Sequence, residues 1–408
     1  MKKVIVIGMS AASVSFVVKL RSLDKNCEII CFSAEKDYPY NRCFLADFLT
    51  QDVSISDILL KPESFFEQNN IDVKLNTLVT KIDSKNKSVF VGSDIYHYDY
   101  LFLGVGTKPY QLEFARQDVN QGLENVFNFH TLEDINCISN YIKTNNVKIA
   151  CVIGGGLNGI EAVSSLRSLH VSVSVVEGQK SILSGQVDEQ VAQWIARKMR
   201  LSGVLVLVSR RASNFIKQKC NKKVDYVQLD TGSRISTDMV IIAAGSSVNL
   251  DLIHETEIKT TKGSIVVDQF MKTSVDTVFA GGDVCLVKDM MTGQISRSTT
   301  WSDAMLQGLC AATNVASVIV GAATRAYPGM VGLRDSYFFG KDFYACGKTV
   351  FQLNENVEIV EKIDDENLKK WYLQDGELKG FVLIGDVSGL AGYKRWYATK
   401  QKVQKSDL

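Results

Sequence analysis

The most informative segment of the chain is KIACVIGGGLNG, residues 148–159. An apolar run rich in β-branched residues passes straight into three glycines, and a helical pattern continues to Leu169. The next apolar run, residues 171–176, ends at Glu177. Nearly continuous apolar strands are typical of a parallel sheet that is covered on both faces. The segment therefore predicts a strand, a tight turn, a helix and a second, parallel strand.

Gly154, Gly156 and Gly159 form the dinucleotide-binding fingerprint G-x-G-x-x-G. The first glycine allows the tight turn, the second lets backbone approach a pyrophosphate, and the third lets the helix pack on the strand. Phosphates then lie at the helix N-terminus, where free N–H groups and the dipole favour anions. Glu177 ends the next strand, where its carboxylate is placed to accept hydrogen bonds from a ribose. Because a carboxylate repels a 2′-phosphate and residues 178–180 contain no arginine, NAD(H) is favoured over NADP(H).

A weaker copy of this pattern, KVIVIGMSAAS, occupies residues 3–13. Gly8, Ser10 and Ser13 stand at the three glycine positions. Serine is small and its hydroxyl can donate to a phosphate, so the copy predicts a second nucleotide site. The strand that follows ends close to Glu35, which again suits a ribose.

Two later segments support this second site. Gly106 lies in the turn LGVGTKP, and Gly282 and Asp283 end the apolar segment TVFAGGD. An aspartate behind two glycines can hold a polyol hydroxyl while the backbone approaches closely. The alternative is that Asp283 only caps a helix or forms a turn. The helix that follows is expected to point its positive end at a bound ring.

Taken together, these motifs resemble the FAD-dependent pyridine nucleotide-disulfide oxidoreductase superfamily over residues 1–320. The resemblance implies FAD and NAD(H) as cofactors. It also implies an α/β fold with two Rossmann-like domains, the second inserted in the first, and a small α+β C-terminal domain. The expected domains are an FAD domain at 1–112 and 240–324, an NAD(H) domain at 113–239, and the C-terminal domain at 325–408.

The segment YPYNR, residues 38–42, is similar to the Pro-Tyr-x-Arg segment of single-flavin reductases for rubredoxin, ferredoxin and nitrite-reductase partners. This likeness implies that Arg42 contacts the FAD pyrophosphate. Residues 377–386 also resemble the NADH:rubredoxin reductase and nitrite reductase branch. Oxygenase-coupled relatives carry Pro-Leu-Ser-Lys after the arginine, whereas this chain has CFLAD at 43–47. The lysine that contacts flavin in those relatives is therefore missing.

Cys43 lies where NADH oxidases, NADH peroxidases and coenzyme A-disulfide reductases place their single redox cysteine. A thiolate beside flavin and near a helix N-terminus is expected to have a lowered pKa and to cycle through a sulfenate or a mixed disulfide. The alternative is an inert buried thiol. Glu161, two residues past Gly159, either positions the nicotinamide or complements the helix dipole.

The composition and charge of the chain limit the classes of protein to which it can belong. With 408 residues, the chain is long enough for two or three domains, and 46 Lys and Arg against 45 Asp and Glu leave no net field that attracts nucleic acid. Nine cysteines without a CxxC pair or zinc-type spacing favour a reducing cytoplasm, and four scattered histidines that form no HExxH-like set disfavour a zinc hydrolase. No apolar run was expected to reach the roughly 20 residues of a membrane span.

Three functions follow as hypotheses. In the first, NADH reduces FAD and the electrons pass to a small redox protein. In the second, Cys43 carries the electrons to oxygen, a peroxide or a low-molecular-weight disulfide acceptor. In the third, the chain is a low-turnover flavoprotein sensor or assembly factor. A homodimer through the C-terminal segment is a further expectation from the resemblance.

Overall fold

The protein is described by a computed structural model covering residues 1–115, 122–217, 222–291, 293–351 and 356–408. Its residues group into two compact units. The first unit comprises residues 1–41, 54–108 and 247–332, and the second comprises residues 42–53, 109–246 and 333–408.

A parallel sheet forms the core of the first unit. Its five described strands lie in the order Val278–Ala280, Tyr100–Leu103, Lys3–Ile7, Glu28–Phe32 and Ile71–Lys74. The central strand is almost completely buried because helices and loops cover both of its faces. The predicted parallel sheet at the N-terminus is therefore confirmed.

The helices Ala11–Leu23 and Trp301–Val320 pack against each other in this unit. They approach closely because Gly308 has no side chain: a Cβ there would lie 2.0 Å from the Ala12 carbonyl oxygen. By length and composition alone, Trp301–Val320 is long and apolar enough to cross a membrane, contrary to the expectation that no run reaches that length. It also buries the polar side chains of Asp303 and Gln307, as a core helix does.

Smaller elements complete the first unit. The short helices are Ile55–Ile58 and Glu63–Gln68. Two further sheets contain the strands Lys81–Asp83, Ser88–Val91 and Asp94–His97, and the strands Thr260–Thr261, Ser264–Val266, Cys285–Lys288 and Ile295–Arg297.

The second unit contains a matching parallel sheet. Its described strands lie in the order Leu205–Val208, Ser172–Glu177, Ile149–Ile153, Met239–Ile242 and Val126–Asn128. The unit also contains the helices Leu45–Thr50, Leu132–Asn145, Leu157–Ser168 and Glu189–Leu201, and the antiparallel strands Ala212–Ile216, Tyr226–Leu229 and Arg234–Ser236. The strand, turn and helix predicted from residues 148–159 are confirmed.

Two segments lie on the other side of the expected domain boundaries. Met239–Ile242 pairs with Ile149–Ile153, so the boundary placed between 239 and 240 cuts through a strand of the second sheet. Residues 42–53 group with the second unit, although they fall inside the expected FAD segment 1–112. Both differences arise because contacts between distant segments, rather than chain order, hold these residues. The assignment of an FAD domain, an NAD(H) domain and a C-terminal domain stays a prediction.

An antiparallel sheet and a helix form the C-terminal part of the second unit, as expected for an α+β segment. The sheet order is Arg334–Phe338, Lys341–Gly347, Glu377–Ile384, Leu368–Gln374 and Glu358–Ile363, and the helix is Leu390–Thr399. Sequence reasoning missed the strand Glu358–Ile363 and this helix. The strand is largely exposed, so it carries no continuous apolar signal.

Candidate functional site

The glycine turn of the second unit requires glycine for steric reasons. Gly154 has φ +116°, and a Cβ there would lie 2.2 Å from the Ala243 carbonyl oxygen. A Cβ on Gly159 would lie 2.0 Å from the carbonyl oxygen of Gly154. In front of Gly156 the space is open, because the nearest atom to a Cβ there is Gln186 Nε2 at 3.8 Å. This open space before an uncapped helix N-terminus fits a dinucleotide pyrophosphate.

Glu177 is held at the edge of this turn by two backbone hydrogen bonds. Its Oε2 accepts from the N–H of Gly155 and its Oε1 accepts from the N–H of Gln179, both at 2.7 Å. The carboxylate therefore lies beside the glycine turn at the end of its strand, as a ribose ligand does in this type of fold. Its contact with a ribose stays a prediction.

Arg211 lies beside the same edge and was missed by sequence reasoning. A Cβ on Gly178 would lie 3.1 Å from Arg211 Cγ and 3.3 Å from its Nε. The residue before it, Arg210, is hydrogen-bonded to the end of the strand Ser172–Glu177: its N–H donates to the Glu177 carbonyl oxygen at 3.0 Å. Arg211 lies between the strands Leu205–Val208 and Ala212–Ile216, so it is not among the residues that directly follow Glu177 in sequence.

The glycine turn of the first unit is also closely packed. Gly8 has φ +86°, and a Cβ there would lie 2.4 Å from the carbonyl oxygen of Gly104. Ser10 begins the helix without a side-chain cap, which leaves N–H groups of its first turn available to an anion. Gly104 also makes room for Ser13, since a Cβ on Gly104 would lie 2.1 Å from Ser13 Oγ. Serine is accommodated at the third position because Gly104 faces it.

The hydroxyl of Ser13 is buried and makes no hydrogen bond to any residue that the structure describes. Such a group is costly unless a ligand or water satisfies it. Glu35, at the expected ribose position, accepts a hydrogen bond from the Tyr40 hydroxyl at 2.6 Å. These features fit the phosphate and ribose groups of FAD, although the roles of Gly8, Ser10, Ser13 and Glu35 stay predictions.

The second part of the predicted flavin site lies at the end of the strand Val278–Ala280. The N–H of Gly282 donates to Gln307 Oε1 at 2.8 Å, while the buried Nε2 of Gln307 has no partner within the described part of the chain. Asp283 is partly exposed directly after Gly282. Gly106 leaves open space, since a Cβ there would meet no atom within 4 Å. The polyol role of Asp283 stays a prediction.

The helix expected after Asp283 does not follow it directly in the chain. The hairpin formed by Cys285–Lys288 and Ile295–Arg297 intervenes, and the helix starts at Trp301. Its first turn holds the buried carboxylate of Asp303, which accepts from two hydroxyls and from the N–H groups of Val331 and Gly332. This carboxylate complements the positive end of the helix dipole, and the expected stabilisation of a reduced ring by this helix stays a prediction.

Arg42 and Cys43 lie in the short 3₁₀ turn Arg42–Phe44, which belongs to the second unit. Arg42 Nη1 donates to the carbonyl oxygen of His130 at 2.6 Å. The contact of Arg42 with the FAD pyrophosphate stays a prediction.

The surroundings of Cys43 differ from the expectation. Part of the side chain reaches the surface, but the protein around the thiol removes enough water to raise its pKa to about 12. The negative charges of Asp335 and Glu161 add to this rise. In the chain without cofactor, desolvation and two carboxylates outweigh the backbone hydrogen bond to the thiol, and the lowered pKa expected beside bound flavin stays a prediction.

Glu161 lies near two other carboxylates, those of Asp47 and Asp335. It lies on the helix Leu157–Ser168 and accepts a hydrogen bond from the Ser336 hydroxyl at 2.5 Å. Burial is the main cause that raises its pKa to about 7; the nearby charges of Asp47 and Asp335 contribute to the rise, and the Ser336 bond opposes it. Ser336 is 175 residues away in sequence, so no local pattern indicates it. The arrangement gives the chain a side chain that gains or loses a proton near neutral pH.

The described residues contain no group of three or more His, Cys, Asp or Glu side chains with metal-site geometry. The sites are therefore built from backbone turns, hydroxyls and single carboxylates.

Comparison with known proteins shows the family of the chain. The family model for pyridine nucleotide-disulphide oxidoreductases matches residues 2–308. The NADH oxidase of Methanocaldococcus jannaschii is 30% identical over 323 residues, which cover 78% of this chain and 70% of the oxidase. The NAD(P)H nitrite reductase of Bacillus subtilis is 26% identical over 391 residues, which are 95% of this chain and 46% of the reductase. The chain thus spans about half the length of that relative.

A solved structure supports the same family assignment. The NADH:rubredoxin oxidoreductase from Clostridium acetobutylicum matches with a TM-score of 0.77 at 25% identity, covering 98% of this chain and 96% of that one. Two parallel sheets with glycine turns, and a family match over three quarters of the sequence, agree with one another. The chain therefore belongs to the pyridine nucleotide-disulphide oxidoreductase family and is an FAD-dependent NAD(P)H oxidoreductase.

Proposed function

We propose that the chain takes a hydride from NADH and delivers the electrons to a small redox protein of the rubredoxin type. The observation that carries the choice of acceptor is the environment of Cys43. In the chain without cofactor, burial and the nearby carboxylates of Asp335 and Glu161 raise the pKa of the Cys43 thiol well above its ordinary value. Because the thiolate is the reactive form of cysteine, this environment disfavours the Cys43-dependent cycle. The likeness to an NADH:rubredoxin oxidoreductase supports the same acceptor class.

The residues of the second unit would bind and orient the coenzyme. The turn at residues 154–159 would receive the pyrophosphate, and Glu177 would hold the adenosine ribose. In the first unit, the uncapped turn after Gly8 and the hydroxyl of Ser13 would hold the flavin nucleotide. FAD, when bound, supplies the ability to accept two electrons as hydride and to release them one at a time.

Glu161 would face the nicotinamide side of the coenzyme site. Its position on the first turns of the helix Leu157–Ser168 agrees with either of the two roles expected for it. The raised pKa favours the neutral acid below pH 7, and a neutral acid contributes little to the helix dipole. We therefore assign Glu161 to positioning rather than to dipole compensation. A cytoplasmic location and a homodimer through residues 325–408 stay predictions.

The acceptor is tested with purified, FAD-loaded enzyme under anaerobic conditions. NADH-dependent reduction of rubredoxin is followed by the loss of its visible absorbance, and hydrogen peroxide and coenzyme A disulfide are offered as alternative acceptors. Oxygen is offered in a separate, aerobic assay. We expect turnover with rubredoxin to be equal in wild type and in Cys43→Ser. Turnover only with a disulfide or peroxide, lost in Cys43→Ser, would establish the thiol-dependent alternative. Flavin reduction by NADH that takes longer than seconds would support the sensor hypothesis.

A further inference from the structure

The loop that connects the strand Ser172–Glu177 to the helix Glu189–Leu201 lines the glycine turn of the second unit. We call residues 178–187 the coenzyme loop. The N–H of Leu183 donates to the carbonyl oxygen of Gly155 at 2.8 Å, and the side chain of Gln186 is the group nearest to Gly156. The position of this loop therefore sets the space in front of the turn that would receive the pyrophosphate.

The far end of the coenzyme loop is hydrogen-bonded to the segment that follows the strand Lys341–Gly347. The buried hydroxyl of Thr349 donates to the carbonyl oxygen of Gln186 at 2.7 Å. One residue after the loop, Asp188 caps the helix Glu189–Leu201 by accepting from the N–H of Val191. These contacts hold the backbone on both sides of the end of the loop.

Asp188 is in turn held by two buried side chains of the strand Leu368–Gln374. Lys370 Nζ lies 2.6 Å from Asp188 Oδ2, and the Lys370 side chain is only 3% exposed. The Tyr372 hydroxyl donates to the same oxygen at 2.7 Å. Removing one partner would leave the other polar group of this cluster buried without compensation, which is costly. Gln190 Oε1 accepts a further hydrogen bond from Lys370.

We infer that Thr349, Lys370 and Tyr372 are positioning residues that hold the coenzyme loop in its binding conformation, so that the C-terminal segment sets the affinity for NADH. This inference rests on the proposed function, because it assumes that NADH binds at residues 154–159. None of the three side chains needs to contact the coenzyme. Their effect would appear in binding rather than in electron transfer, since they act on the loop and not on the reacting atoms.

The test compares Thr349→Val, which keeps the shape but removes the hydroxyl, with Thr349→Ser, which keeps the hydroxyl. For FAD-loaded enzyme, calorimetry gives the Kd of NAD⁺, and turnover with a dye gives KM for NADH and kcat. We expect Thr349→Val and Tyr372→Phe to raise Kd and KM about fivefold without changing kcat, in line with the loss of one hydrogen bond. Thr349→Ser is expected to bind like wild type.

A matched control is Thr399→Val, since Thr399 lies in the same C-terminal segment but its hydroxyl donates to Arg395 on its own helix. Its Kd is expected to be unchanged. Thr349→Val and Tyr372→Phe variants that bind NAD⁺ as tightly as wild type would overturn the inference while leaving the proposed function intact. If wild type itself binds no NAD⁺, both are overturned.

Discussion

The clearest quantitative consequence of the structure concerns Glu161. Replacing it with glutamine removes a group that can ionise but keeps the size of the side chain and an oxygen that accepts from Ser336. In the folded chain its pKa rises from the ordinary value of 4.5 to about 7, mainly because the group is buried. At about 1.4 kcal/mol for each pH unit, the rise is equivalent to about 3 kcal/mol.

The direction in which the free energy of unfolding changes with pH follows from proton binding. Between pH 4.5 and 7 the folded chain binds this proton more strongly than the unfolded chain does, so the free energy of unfolding falls as pH rises. The contribution of the proton is fully present below pH 4.5 and is lost above pH 7, where a buried carboxylate must be charged. A glutamine side chain does not ionise, so Glu161→Gln does not lose this stability as the pH rises. Glu161→Gln should match wild type near pH 4.5 and be more stable by about 3 kcal/mol at pH 8.

The assay is urea denaturation at a series of pH values between 4.5 and 8, followed by tryptophan fluorescence. Glu255→Gln is the matched control, because it removes one carboxylate from an exposed position rather than from the interior. Infrared spectroscopy checks the cause directly, because Glu161→Gln should remove a protonated-carboxyl band that titrates near pH 7 in wild type. A stability difference between Glu161→Gln and wild type that does not grow with pH would refute the reasoning.

Three further variants test the two glycine turns. Gly154→Ala should destabilise the chain by about 2 kcal/mol or more and abolish NAD⁺ binding, because its Cβ would meet the Ala243 carbonyl; normal NAD⁺ binding by calorimetry would contradict this. Arg211→Ala should lower kcat/KM for NADPH more than for NADH, since the guanidinium lies beside the edge of Glu177; an equal effect on both coenzymes would exclude this role. Ser13→Ala should stabilise the apoprotein by about 1 kcal/mol by removing an unpartnered buried hydroxyl, yet weaken FAD retention; unchanged FAD retention on gel filtration would show that the hydroxyl holds no phosphate.

The acidic group around Glu161 shows why some features could not be predicted. Asp47 stands in the segment from which a lysine is missing, but its effect on Glu161 depends on how the helix Leu45–Thr50 packs on the helix Leu157–Ser168. The sign of the Cys43 pKa change depends in the same way on Asp335, which the fold brings near from the C-terminal sheet. Electrostatic energies depend on distance and burial, which sequence spacing does not give.

The amino-acid sequence by itself determined the two parallel sheets and their glycine turns, because apolar runs and glycine spacing act over a few neighbouring residues. Tertiary structure alone decided the contacts between distant segments. Gly104 makes room for Ser13, Arg211 reaches the edge of Glu177, and Lys370, in a strand sequence with two adjacent lysines, is buried against Asp188. These contacts join segments far apart along the chain, so their geometry exists only once the backbone has folded.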